Sequence, residues 1–142
     1  MAKIFFHYLN RHIKIDNKKI LKQIIAKIFL AENKLFNRLD YIFCSDSYLL
    51  KINQKFLDHD YYTDVISFDL TENTAEIHGE IYISIDRVKE NAKCLKSSFE
   101  EEILRVIFHG ALHLCGINDK TKKEIRIMQK KENYYLQLYQ KF

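Results

Sequence analysis

The sequence predicts an α+β fold, with a single domain over residues 1–142 in which a mixed sheet of about four strands is covered by helices. Three observations support this fold class. The length of 142 residues is enough for one hydrophobic core and too short for two. Hydrophobic residues make up 47% and charged residues 30%, which is the balance of a folded protein and not of a disordered or membrane chain. Strand-like segments alternate with helices early in the chain, and three helices close it.

The first segments alternate between strand and helix. Residues 3–8 (KIFFHY) and residues 39–44 (LDYIFC) are rich in the apolar and aromatic residues that are typical of strands. Between them, apolar residues recur at helical spacing and predict an amphipathic helix. These are Ile20, Leu21, Ile24, Ile25, Ile28 and Phe29.

A second helix is expected directly after the second strand, where Ser45 or Asp46 can cap it. One side of this helix would carry three residues: Leu49, Asn53 and Phe56. Residues 64–69 (DVISFD) and 80–85 (EIYISI) then predict two strands from their β-branched and aromatic content.

Three helical stretches close the chain, at about residues 86–96, 98–115 and 121–139. Ser98 with Glu101, and Thr121 with Glu124, have the spacing of capping boxes at the start of the last two helices. Residues 116–120 are therefore expected to form a tight connection between these helices.

Composition also bounds the location and the partners of the protein. Three cysteines lie far apart and are odd in number, which disfavours a disulfide framework and favours a reducing compartment. We expect a cytoplasmic protein, because no targeting segment and no apolar run of membrane-spanning length is visible. The formal net charge of +4 favours nucleic acid only weakly, since a lysine-rich surface explains it equally well.

The most informative residues are two histidines on the helix 98–115. His109 and His113 are four residues apart, a spacing that places two imidazoles about 5–6 Å apart on one helical face, where they can bind one metal ion. Gly116 is the residue type that ends a helix in a left-handed turn, and Asp119 follows it closely. The Asp119 carboxylate could therefore return to the histidine pair.

Two imidazoles and one carboxylate suit one zinc ion and leave a coordination position for water, although another divalent metal is also compatible. The alternative is that both histidines border the core without a metal and that Asp119 is a charge before the next helix. A metalloprotease of the His-Glu-x-x-His type is disfavoured because Gly110 stands where the glutamate is needed. A closed structural zinc site with Cys115 or Asn118 is also disfavoured, since Cys115 would point about 200° round the helix from His113.

Three short motifs stand out: HGALHLCGINDK at residues 109–120, TDVISF at residues 63–68, preceded by Asn53, and GEIYIS at residues 79–84. They resemble segments of the YbeY-type endoribonucleases, metal-dependent factors of bacterial ribosomal RNA maturation. The first resembles the family's histidine signature with its third ligand, and the other two resemble further family motifs. The chain departs from the family at three positions. Asp119 replaces the third histidine, Asn118 replaces an aspartate, and Leu57 stands where the family commonly has an arginine.

The resemblance implies a zinc-dependent hydrolase that cuts single-stranded RNA in ribosomal RNA maturation and ribosome quality control. Either a water molecule activated by the metal or the 2′-hydroxyl of the RNA could attack the phosphodiester. Candidate catalytic residues are Glu80, Asp64 and His59, and candidate substrate-binding residues are Lys55, Asn53 and Thr63. The expected partners are ribosomal RNA and ribosomal particles, with neither membrane nor DNA.

Several of these residues have simpler explanations. Glu80 could face solvent, and Thr63 and Asp64 could form a turn. Asn53 could be an ordinary surface amide, which is the alternative to a side chain that holds a backbone group near the site. For the whole protein, the alternative is a non-catalytic ribosome-assembly factor that binds RNA and is stabilised by its metal. Basic residues after the histidine motif could bind phosphates in either case: Lys120, Lys122, Lys123, Arg126, Lys130 and Lys131.

Overall fold

A computed structural model of the chain describes residues 3–72 and 75–142. These residues contain one four-stranded sheet. Its strands are β1 (Lys3–Tyr8), β2 (Leu35–Cys44), β3 (Val65–Asp69) and β4 (Glu76–Ser84). They lie in the order β1-β2-β4-β3, with β3 antiparallel to β4 and the other two pairs parallel. The predicted mixed sheet of four strands in an α+β domain is therefore confirmed.

In the described residues, five helices accompany the sheet, the last of them packed on α1 and α4: α1 (Lys18–Ala31), α2 (Asp46–Leu57), α3 (Ile85–Leu95), α4 (Phe99–Leu114) and α5 (Lys122–Gln140). Ser45 caps α2, and the Thr121–Glu124 capping box is complete. At α4, the Ser98 hydroxyl accepts from the Glu101 amide, so the cap is present. In the described parts of the chain, no helix combines the length and the apolar character needed to cross a bilayer.

The strands extend beyond their apolar cores because they pair with each other. Both β2 and β4 begin four residues earlier than their sequence patterns predict, and Leu35 pairs with Glu76 in this added stretch. Hydrogen bonding along a ladder does not depend on side-chain polarity, so Asn37 and Arg38 interrupt the apolar pattern of β2 without ending the strand.

The two faces of the sheet belong to different hydrophobic clusters. The larger cluster joins α1 and α4 to residues such as Tyr41, Ile81 and Ile83, and the smaller one joins α2 to the other face. Leu49 and Asn53 of α2 are both buried, as expected for residues on the same side of the helix. Phe56 contacts Phe68 but is 59% exposed, because Phe68 belongs to the edge strand β3 and covers only one side of the ring.

Two glycines let α4 lie close against β4. A Cβ added at Gly110 would lie 2.7 Å from Ile81 Cγ2, and one added at Gly79 would lie 2.5 Å from Leu114 Cδ1. The buried Tyr41 hydroxyl donates to the Ile107 carbonyl at 2.9 Å, which also ties the sheet to α4. These contacts place the C-terminal end of α4 beside the sheet.

Gly110→Ala is expected to destabilise the protein, because the added Cβ would crowd Ile81. In an Ile81→Ala background the added Cβ has room, so the loss in the free energy of unfolding caused by Gly110→Ala should be smaller by about 0.5–3 kcal/mol. Urea denaturation of the four proteins measures this coupling. Gly116→Ala is the matched control, since it meets no atom within 4 Å and should have the same effect in both backgrounds. An equal effect of Gly110→Ala in both backgrounds would contradict the role of this contact.

Candidate metal centre

The chain reverses sharply where α4 ends. Gly116 has a φ of 94°, the left-handed conformation that glycine adopts without strain. Its amide donates to the His113 carbonyl at 2.9 Å, and the Ile117 amide donates to the Leu112 carbonyl at 3.0 Å. These two bonds close the helix and direct the following residues back toward its last turns. The turn predicted at residue 116 is therefore present.

This reversal brings Asp119 to the histidine pair. Asp119 Oδ2 lies 3.3 Å from His109 Nε2 and 3.4 Å from His113 Nε2, and the imidazole planes are 82° apart. Ligand atoms bound to zinc at about 2 Å in a tetrahedron are separated by about 3.3 Å, so the two distances from Asp119 suit such an ion, and all three ligand atoms lie within 4.8 Å of one another. Among residues 3–72 and 75–142, it is the only group of three such side chains whose ligand atoms converge this closely. The three residues could hold a metal ion.

A buried carboxylate orients the first histidine. Glu132 on α5 is 4% exposed, and its Oε2 lies 2.6 Å from His109 Nδ1. Nδ1 donates this bond, so in neutral His109 the lone pair lies on Nε2, which faces Asp119 and His113. Arg105 lies 3.5 Å from the other oxygen of Glu132 and also donates to Asn133 at 2.6 Å.

Electrostatics distinguish the two histidines. Burial lowers the pKa of His109, but the hydrogen bond and charge of Glu132, with the charges of Asp119 and Asp64, outweigh it and raise this pKa above its ordinary value. Burial and then the charge of His109 hold the pKa of His113 below its ordinary value. His113 is therefore neutral at pH 7, as a metal ligand must be.

An open cavity of about 760 Å³ runs from the histidine group to the loop after α2. Among the predicted residues, it is lined by Asn53, His59, Thr63 and Asp64, together with Leu57 and Lys120. Asp64 immediately precedes β3 and accepts a hydrogen bond from Asn91 Nδ2 at 3.3 Å. Burial raises the pKa of Asp64, against the opposing charge of His109.

Two of the predicted candidates lie elsewhere. Lys55 lies 5.3 Å from the Phe56 ring and does not line the cavity. Glu80 accepts from the Tyr82 hydroxyl at 3.3 Å. Its neighbour Ile81 faces α4, and successive strand residues point to opposite faces, so Glu80 faces away from the histidines. The structure does not bring Glu80 to the metal group.

Asn53 holds a backbone group beside the cavity, which was one of the two roles predicted for it. Its side chain is almost fully buried, and Nδ2 donates to the Tyr61 carbonyl at 2.9 Å. Tyr61 and Glu132 were missed by the sequence interpretation. Glu132 lies on the buried side of α5 with Met128 and Tyr135, and a carboxylate among apolar residues is the signal that could have identified it.

Comparisons with known proteins agree on one family. The family model described as Endoribonuclease YbeY matches residues 6–140. A protein from Flavobacterium psychrophilum named endoribonuclease YbeY is 51% identical over 81% of this chain and 81% of its own length. One of the same name from Cytophaga hutchinsonii is 45% identical over 95% of this chain and 94% of its own. A solution structure from Thermotoga maritima aligns with a TM-score of 0.64 and 29% identity, over 94% of this chain and 88% of that one.

Asp119→Ala should weaken binding of a divalent ion, whereas Asp119→His should retain it, because imidazole also supplies a ligand atom. Metal analysis of the purified proteins, with competition against a chelating dye, measures occupancy and affinity. Asn118→Ala is the matched control, since Asn118 is the exposed neighbour and lies outside the converging group. Loss of metal in Asn118→Ala, with Asp119→Ala unaffected, would show that the neighbouring residue is the ligand.

Glu132→Ala should lower metal affinity by about 10–100-fold, because His109 loses the partner that fixes its ring orientation. Titration with zinc in competition with a chelating dye measures this change. Asn133→Ala is the control, since Asn133 shares the contact with Arg105 but is not hydrogen-bonded to His109. Equal affinities of Glu132→Ala and Asn133→Ala would contradict the orienting role of Glu132.

Proposed function

Since this chain belongs to the endoribonuclease YbeY family, we propose that it is a metal-dependent endoribonuclease that cuts single-stranded RNA. The observation that carries this proposal is the convergence of His109, His113 and Asp119 in the wall of an open cavity. A bound divalent ion would offset the negative charge that develops on a phosphoryl group during cleavage. Zinc suits the two imidazoles and the carboxylate, and another divalent metal is also compatible.

Asp64 is the residue that we propose for proton transfer. It lines the cavity together with His109 and Asp119, and the bond from Asn91 fixes its carboxylate. Its raised pKa shifts it from a fully ionised carboxylate toward the range in which a group can take up and release a proton. His59 lines the same cavity and is the second candidate for this role.

Positive charge for binding the RNA backbone lies at and beyond the cavity. Lys120 lines the cavity, and further exposed basic residues follow on α5: Lys122, Lys123, Arg126 and Lys130. Lys131 is instead paired with Glu32 at 2.6 Å, so its charge is partly neutralised. Binding through lysines and arginines releases counterions, and RNA affinity should therefore fall as salt is added.

The proposed biological role is ribosomal RNA maturation and ribosome quality control in the cytoplasm, with ribosomal RNA and ribosomal particles as partners. Support for this role comes from the family and from the cysteines. Cys44, Cys94 and Cys115 are all free, and two of them are buried, as is usual in a reducing compartment. Burial raises the pKa of both Cys44 and Cys115 to about 12, so these thiols are unreactive.

One observation favours a second function, that of a non-catalytic RNA-binding factor in ribosome assembly. Leu57 lines the cavity at the position where the family commonly has an arginine, and it cannot bind phosphate. In that case the metal would order the connection between α4 and α5 without cleaving RNA. The two functions differ in turnover, because an assembly factor binds RNA and leaves it intact.

The wild-type protein is expected to cleave single-stranded RNA slowly, and His109→Ala should reduce the rate by at least about 100-fold because a ligand is lost. Cleavage of a labelled oligoribonucleotide, followed on denaturing gels, measures the rate. Chelation should abolish cleavage, and added zinc should restore it only in the wild type.

Two further variants serve as controls for misfolding and for contaminating nucleases. His113→Ala removes a different member of the metal group and should be equally inactive. His12→Ala removes an exposed histidine that packs on Tyr8, so it should retain wild-type activity through the same purification. Equal cleavage by all four proteins would assign the activity to a contaminant and favour the assembly factor.

A further inference from the structure

An aromatic pair lies along the cavity that contains the histidine group. The rings of His59 and Tyr61 are stacked, with centroids 5.1 Å apart and planes 23° apart. The Tyr61 hydroxyl lies 3.0 Å from His59 Nδ1, so a hydrogen bond joins the two side chains. Both residues line the cavity, and Tyr61 is 55% exposed. An aromatic surface of this extent is therefore open to a ligand beside the metal group.

The backbone beneath this pair is firmly held. Asp58 ends α2 in the left-handed conformation, with a φ of 54°. The His59 amide donates to the Asn53 carbonyl at 3.1 Å, and the buried Asn53 side chain donates to the Tyr61 carbonyl at 2.9 Å. Asp58, His59 and Tyr61 are thus fixed to the last turns of the helix. A ring presented on such a loop loses little conformational freedom when it binds a ligand.

We propose that Tyr61, supported by His59, stacks against an unpaired base of the RNA next to the phosphate held at the metal group. This inference rests on the proposed function and names a base-binding subsite within the same cavity. Aromatic side chains bind single-stranded nucleic acid by stacking on bases, with little dependence on sequence.

The chemistry of the surrounding wall favours a base over a phosphate at this position. Leu57, which is 39% exposed, lines the cavity near the aromatic pair and carries no charge. Lys120, which follows Asp119 directly in sequence, lines the same cavity and carries a positive charge. The cavity thus presents an apolar and aromatic region beside a charged one, as a nucleotide presents a flat base beside its phosphate.

Steady-state cleavage by the holoenzyme tests the proposal. Once the wild-type cleavage site is mapped, matched oligoribonucleotides are prepared with one abasic nucleotide at each position around it. At one position, loss of the base should raise the wild-type KM by about tenfold, the range of a single stacking contact. Tyr61→Ala should raise the KM of the intact RNA similarly, with kcat little changed, and should be insensitive to the abasic nucleotide. Tyr61→Phe keeps the ring and should remain near the wild type.

Tyr62→Ala is the matched control, because Tyr62 is 54% exposed, adjacent in sequence, and packed against Arg87 outside the cavity. It should cleave RNA with the wild-type KM. Any of three results would overturn the subsite and leave the nuclease function standing. Tyr61→Ala could have the wild-type KM, or the abasic nucleotide could raise the KM of Tyr61→Ala as much as that of the wild type. The third result is an equal rise in KM for Tyr61→Ala and Tyr62→Ala. A wild type that cleaves no RNA would overturn both.

Discussion

The close approach of α4 to β4 is the constraint on which the candidate site depends. Gly79 and Gly110 provide space for Leu114 and Ile81, so the helix lies directly against the sheet with its histidines beside β3. Metal ligands must be placed to within about 0.2 Å of their ideal distances. A helix displaced by even a methyl group would carry His109 away from Glu132, which belongs to α5, and from Asp64, which lies beside β3 in the same cavity.

Charge balance adds a second condition. Glu102 and Glu132 are both buried beside Arg105, and Asp64 and Asp119 lie nearby around His109. Burial, more than the opposing charge of Arg105, raises the pKa of Glu102 above its ordinary value. Carboxylates outnumber cations in this region, so an added divalent ion would reduce an unfavourable accumulation of negative charge. The metal group and its buried surroundings are therefore compatible in both geometry and charge.

The sequence predicts those parts of the structure that depend on local periodicity. His109, His113, Gly116 and Asp119 lie within one helix and its turn, so their convergence follows from helical geometry and the conformation of a single glycine. Glu132 belongs to another helix, and only the packing of α5 on α4 brings it to His109. Alternation along β4 places Glu80 and its neighbour on opposite faces of the sheet. Which of the two faces lies toward the metal group depends on how β4 packs and pairs, and this is known only from the structure.

The order of the site residues along the chain has a consequence for synthesis. β2 and β4 are parallel neighbours, and Leu35 pairs with Glu76, so the sheet cannot close until much of the chain has been made. The metal group becomes complete only with Asp119, and its orienting carboxylate follows on the last helix. Chains emerge from the ribosome N-terminus first. A nascent chain therefore cannot assemble the metal group until residues up to Asp119 have left the ribosome, and His109 gains its orienting partner only after Glu132 has followed.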